Sequence, residues 1–238
     1  MDKLNIEPAP ALFLLPGLMC DADVWEHQKT HLSALADIVI PDFRGFDSLT
    51  AMAASVLERA PARFALAGHS MGGRVALEVF RLAPGRISRL ALLETGADSI
   101  AAGEAEKRQI LIDLARDGGM DAVAEAWLLP MIHPDRRDDM RLINAITVMI
   151  KRTSTEQFIK QVQALINRPD ARGYLKNIKC KTLLLAGRHD NLYPVQQHEA
   201  MLREIADARL VVIEDAGHMA PMEKPEAVTN AMYEWLAW

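Results

Sequence analysis

Short apolar runs alternate with amphipathic stretches along most of the chain. The first run, Ala11-Leu12-Phe13-Leu14-Leu15, stops at Pro16-Gly17. It is too short for a buried helix, and it predicts a strand covered on both faces. Asp37-Ile38-Val39-Ile40, Phe64-Ala65-Leu66-Ala67, Leu90-Ala91-Leu92-Leu93, Thr182-Leu183-Leu184-Leu185 and Leu210-Val211-Val212-Ile213 read the same way. Helical patterns fall between them, over Asp21–Ala36, Leu49–Ala60, Met71–Leu82, Val195–Ile205 and Glu226–Trp235. In the third of these, Val75, Ala76, Val79 and Phe80 share one face, while Arg74, Glu78 and Arg81 lie off it. Pro225 suits the start of the last helix, because proline fits the first helical position. This alternation predicts an α/β fold: a mostly parallel sheet of about six strands with helices on both faces. Such sheets carry their sites at the carboxyl ends of the strands.

The alternation breaks from Gly96 to about Arg172, where no strand is convincing. Four helices are expected there, at about 104–116, 120–129, 137–151 and 155–167. Ile110, Leu114, Val123, Trp127, Ile143, Thr147, Phe158 and Val162 recur at helical spacing, and Ser154 with Gln157 suggests a capping box. An all-helical insertion after the fourth strand predicts a lid over the site. The expected organisation is a core made of residues 1–96 and 173–238, with a helical lid over 97–172.

Composition adds exclusions. Of the 238 residues, 27 are Lys or Arg and 32 are Asp or Glu, a formal charge of −5, and no basic run stands out. Nucleic-acid binding, which needs a clustered positive face, is not expected. Two cysteines, Cys20 and Cys180, cannot make a disulfide scaffold and suggest a reducing compartment. The segment Met1-Asp2-Lys3-Leu4-Asn5-Ile6-Glu7 lacks the layout of a signal peptide. No apolar run approaches the roughly 20 residues that cross a bilayer. A soluble cytoplasmic protein with no membrane partner is expected, as a monomer or homodimer.

The strongest chemical signal is Gly68-His69-Ser70-Met71-Gly72-Gly73, set between an apolar strand and an amphipathic helix. A serine on so sharp a turn presents its hydroxyl beyond the sheet edge, and the flanking positions must be small. A serine hydroxyl is a poor nucleophile until a base takes its proton and an acid orients that base. Gly187-Arg188-His189-Asp190 and Glu214-Asp215-Ala216-Gly217-His218 each follow a strand, in the chain order Ser, acid, His. The expected catalytic set is therefore Ser70, Asp190 and His218. Glu94 and Asp98 are the rival acids. The expected oxyanion donors are the backbone N–H groups of Met71 and of Leu18, in the loop after the first strand.

The other histidines are read as bland: His69 as packing, His189 as loop-shaping, and His27, His31 and His198 as surface. Trp127, Met131 and His133 are the candidate substrate contacts in the lid, with a solvated loop the competing reading for His133. Arg136, Arg137 or Arg152 could supply a cationic clamp. Asp21, Asp23 and His27 match no metal-site spacing and read as helix capping, so no metal is expected. Cys20 reads as small buried filler.

Together these pieces resemble the α/β-hydrolase fold superfamily over nearly the whole chain. The matching residues are Phe13 to Leu18, Trp25, Pro41-Asp42-Phe43-Arg44-Gly45, Gly68 to Gly73, Gly187 to Asp190, and Asp215 to Met219. The chain looks most like small lidded serine hydrolases: enol-lactonases, pimeloyl-ester methylesterases, aminoacrylate hydrolases and microbial carboxylesterases. The resemblance implies cleavage of a small carboxylic ester, lactone or thioester through an acyl-enzyme, with no cofactor. Lyase or C–C bond chemistry on the same triad is the alternative, and a binding protein is a third. Pro16-Gly17 replaces the family's usual His-Gly, and Arg44-Gly45-Phe46-Asp47-Ser48 replaces its usual Arg-Gly-His-Gly-x-Ser. About ten residues precede the first strand, too few for the family's opening hairpin, so six strands are expected.

Overall fold

A computed structural model describes residues 10–238. The segment Met1 to Glu7, on which the signal-peptide reading rests, lies outside the described residues. Six strands form one sheet: β1 (Ala11–Leu15), β2 (Asp37–Val39), β3 (Phe64–His69), β4 (Ile87–Leu93), β5 (Lys181–Gly187) and β6 (Ala208–Ile213). Their order is β2-β1-β3-β4-β5-β6, and every pairing is parallel. The helices are α1 (Glu26–Leu32), α2 (Leu49–Arg59), α3 (Met71–Leu82), α4 (Glu104–Met131), α5 (Met140–Lys151), α6 (Thr155–Ile166), α7 (Val195–Glu204), α8 (Ala220–Glu223) and α9 (Pro225–Ala237).

All of β3 is buried, as is β1 after Ala11. The expectation of burial on both faces fails for β2 and most of β6, which are partly exposed. These two are the sheet's edges, with a neighbour on one side only. Helices α2 and α3 pack together, with α3 against β1, β3 and β4, while α1 packs on α9. The expected single helix over 21–36 is instead a 3-10 turn at Ala22–Trp25 followed by the shorter α1. Trp25, at φ −109° and ψ 8°, takes the backbone off the helical path between them.

Three helices, α4 to α6, fill the insertion between β4 and β5. The two expected first helices are one run, kinked at Gly119, where φ is 67° and ψ is −167°. Pro130 does not end that run; it sits in its last turn. The capping box forms by half. Ser154 Oγ accepts from the Gln157 N–H at 3.1 Å, but the Gln157 side chain does not return the bond. It reaches the core instead, donating to Phe43 O at 3.0 Å and accepting from the Gly45 N–H. One turn on, Gln161 Oε1 accepts from the Met19 N–H at 3.1 Å. Two glutamines on one helix face thus bind the insertion to the loops after β1 and β2. No described helix is long and apolar enough to cross a membrane.

Candidate active site

In a parallel sheet all carboxyl ends face one edge, so residues just past β3, β5 and β6 converge there. Ser70 follows β3 directly, at φ 54° and ψ −117°. That left-handed backbone is costly for a residue with a side chain, and the local packing holds it. A Cβ at Gly68 would overlap the backbone of Gly72, and one at Gly72 would overlap Leu15 O. The strand-to-helix turn can close this tightly only with glycine at both positions.

His218 Nε2 lies 2.8 Å from Ser70 Oγ, and His218 Nδ1 lies 2.9 Å from Asp190 Oδ2. All three residues are buried. Burial pushes the Asp190 carboxyl up, but the His218 ring and the N–H groups of Tyr193 and Leu192 outweigh it, leaving it below its ordinary range. The Leu192 and Tyr193 N–H groups donate to Asp190 Oδ1 at 2.8 and 3.1 Å. One carboxylate oxygen is thereby anchored to the loop while the other faces the imidazole. The N–H of Met71 opens α3, where the first N–H groups of a helix lack intrahelical partners. Leu18 sits in the turn after β1 and lines the same cavity as Ser70.

The rival acids lie elsewhere. Glu94 Oε2 is 3.0 Å from His69 Nε2, and both its oxygens approach the Ala220 N–H. Burial and the nearby Asp190 charge raise Glu94 well above its usual range, and burial lowers His69. Burial thus disfavours charge on both members of the pair. His69 Nε2 also lies 2.9 Å from His218 O. His69 is thus more than packing: it braces the backbone of the histidine that meets Ser70. Asp98 is half exposed, 3.4 Å from Arg172.

Residue-pattern reasoning missed a third carboxylate. Glu223 accepts from the N–H groups of His133, Gly217 and Met219 at 2.8, 2.9 and 3.1 Å. It ties the His218 loop to the chain just past α4, and the His218 N–H donates to Met131 O at 2.7 Å across the same junction. Only the sequence proximity of Glu223 to His218 could have drawn attention to it.

Ser70 opens onto a cavity of about 630 Å³ between sheet edge and insertion. Trp127 and Met131 line it, and the Trp127 ring stands edge-on to His218 at 6.5 Å. His133 does not line it. Its ring is buried against His189 at 4.3 Å, so neither the solvated-loop nor the cavity-wall expectation describes it. His198, expected at the surface, is fully buried, with Nε2 accepting from the Thr95 N–H at 3.3 Å. His27 is half-buried and 2.8 Å from Thr229 Oγ1, whereas His31 is exposed. None of the three arginines proposed as a clamp reaches the cavity. Arg152 pairs with Asp21 and Asp23, Arg136 with Asp139, and Arg137 with Ile132 O. A second groove of about 480 Å³, between α1 and α5, contains none of the Ser70 set.

Asp21 and Asp23 both pair with Arg152. Among the described residues, one trio with metal-ligand chemistry comes together, His69, Glu94 and His218, with atoms within 4.8 Å. Its groups are already committed to one another, to Asp190 and to Ser70. Burial and the adjacent Asp21 push the Cys20 thiol up to about 12, so it stays protonated and unreactive.

Comparison with known proteins agrees with this architecture. The chain is 25% identical over 245 residues to a putative carbamate hydrolase, RutD, of Pseudomonas savastanoi pv. phaseolicola, covering 96% of this chain and 94% of that protein. It is 24% identical over 246 residues to the pimeloyl-acyl-carrier-protein methyl ester esterase of Nitrosomonas europaea, covering 95% and 96%. Among solved structures, a thermophilic esterase from Thermogutta terrifontis, with malate bound, superposes with a TM-score of 0.88 at 30% identity, covering 97% of this chain and 90% of that one. Two of these relatives are esterases, and this chain is a hydrolase of the ester-acting kind. The alpha/beta hydrolase family model matches residues 12–231, and the chain belongs to that family.

Proposed function

We propose that this protein is a serine esterase that cleaves a small carboxylic ester, lactone or thioester through an acyl-enzyme on Ser70. The continuous path from Ser70 Oγ through His218 to Asp190, at 2.8 and 2.9 Å, carries this reading. Ser70 Oγ attacks the carbonyl carbon as His218 Nε2 takes its proton. Asp190 holds the imidazole with Nδ1–H toward itself and stabilises the imidazolium that forms. The carbonyl oxygen becomes an oxyanion between the N–H groups of Leu18 and Met71, each donor worth about 3 kcal/mol at the transition state. The imidazolium returns its proton to the leaving alcohol. His218 then deprotonates a water that attacks the acyl carbon and restores Ser70.

The helices over 97–172 act as the lid in this scheme, with Trp127 and Met131 as the apolar wall beside the substrate. Exclusion of water by that wall strengthens the electrostatic terms inside. Hydrolysis of p-nitrophenyl esters of graded acyl length tests the reading. Wild-type protein should turn over at least the short esters, and Ser70→Ala should fall to the background rate. Substantial turnover by Ser70→Ala would overturn it.

A further inference from the structure

The cavity that contains Ser70 is positively charged in a protein that is negative overall. Its wall carries Arg74, Lys107, Arg108 and Arg168 against only Asp98 and Glu104. These cations are not equivalent. Arg168 is saturated: it grips Glu104 through both terminal nitrogens, at 2.7 and 2.6 Å, and also donates to the Asp98, Ser99 and Leu165 carbonyls. Arg108 takes the same carboxylate at 2.8 Å. Together with the Ala101 N–H they offset its burial and draw Glu104 down to about 2, so this side of the wall is internally neutralised.

Arg74 is different. It lies on α3 four residues beyond Ser70, roughly one helical turn away, or about 6 Å along the axis. It is 5% exposed, yet among the described residues no carboxylate lies within ion-pair distance of it, and the Asp98 charge acts only from farther off. One nitrogen donates to Asp98 O, Nε has no partner, and the guanidinium lies 5.5 Å from the centre of the Tyr193 ring. A guanidinium cannot shed its proton to relieve burial. A buried charge of this kind is normally paired, because leaving it uncompensated is costly. Nothing in the catalytic scheme uses it.

We propose that Arg74 is the anion subsite of this cavity, and that the substrates are esters carrying a carboxylate a few atoms from the scissile carbonyl. The inference rests on the esterase reading above and narrows its substrate class. The substrate carboxylate supplies the counter-charge that Arg74 lacks, while its carbonyl lies one turn away at Ser70. Lys107 is exposed at the cavity mouth, where it draws anions inward.

The test compares p-nitrophenyl hydrogen glutarate with the similarly sized neutral p-nitrophenyl hexanoate. Wild type should favour the anionic ester in kcat/KM by about tenfold to a hundredfold, the range of a charge-assisted hydrogen bond. Arg74→Met should abolish that ratio and Arg74→Lys should keep part of it. A purely structural arginine would change both rates together and leave the ratio intact, which would overturn the proposal. Should Arg74→Met fail to fold, glutarate must still inhibit wild-type cleavage of the neutral ester competitively; absence of inhibition counts against the subsite. Ser70-dependent cleavage without anionic preference would leave the esterase reading standing and remove this one. If no ester is cleaved, calorimetry of glutarate with Ser70→Ala decides separately. Binding that Arg74→Met removes supports the subsite, and no binding overturns it.

Discussion

Asp190 and Glu94 flank the same histidine loop and are shifted in opposite directions. Asp190 is held below its ordinary range because an imidazole and two N–H groups face it; Glu94 is pushed well above its own by burial and a negative neighbour. Environment, not residue type, separates the carboxyl proposed to orient His218 from the one beside His69. His198 follows the same rule. Burial lowers it from 6.5 to about 4, and the Thr95 N–H already occupies Nε2, so protonation must break that bond. A histidine whose folded pKa lies below its unfolded one stabilises the fold above pH 6.5. That contribution is lost as pH falls from 6.5 toward 4. The full effect is about 3 kcal/mol. Urea unfolding of wild type should therefore show falling stability across that window, and His198→Gln should show a smaller fall. Identical slopes would contradict the assignment. His198 could not be read from the sequence, because its alternation with polar neighbours marks a helix face without saying what covers that face.

The elements were largely legible. Strand ends are set by Pro, Gly and the close of apolar runs, so the pattern alone puts Ser70, Asp190 and His218 at one sheet edge. The helical insertion showed itself by periodicity, including a break near Gly119 that proves to be a kink. Contacts between elements were not legible. Gln157 and Gln161 look like solvated helix positions, yet both are buried and hold the backbone of core loops. Gln161 takes the N–H next to Leu18, so it fixes the loop proposed to supply an oxyanion donor. Replacing it with Leu leaves the Met19 N–H buried and unpaired, at a cost of about 1–3 kcal/mol. Gln161→Leu should unfold at lower urea and lose kcat more than it raises KM. A variant with wild-type stability and kcat would show that the Gln161 tie does not position this loop.

At the scale of the whole molecule, a parallel sheet gathers three strand ends and an insertion closes over them. Glu223 and the His218 N–H join the two layers at the base of His218. The His218 loop and the insertion are therefore coupled through backbone N–H groups, donated to the Glu223 carboxylate and to Met131 O. Sequence pattern reaches the layers but not the charge inside the cavity. Arg74 reads as an off-face helix residue until the insertion covers it.

The central claim is that Ser70 becomes acylated. Rapid quenching of the protein during turnover of a p-nitrophenyl ester, followed by intact and peptide mass analysis, tests it most directly. The account predicts a mass gain of one acyl group, confined to the peptide containing Ser70 and absent from Ser70→Ala. Steady turnover with no acylated protein, or an acyl group that persists in Ser70→Ala, would contradict it.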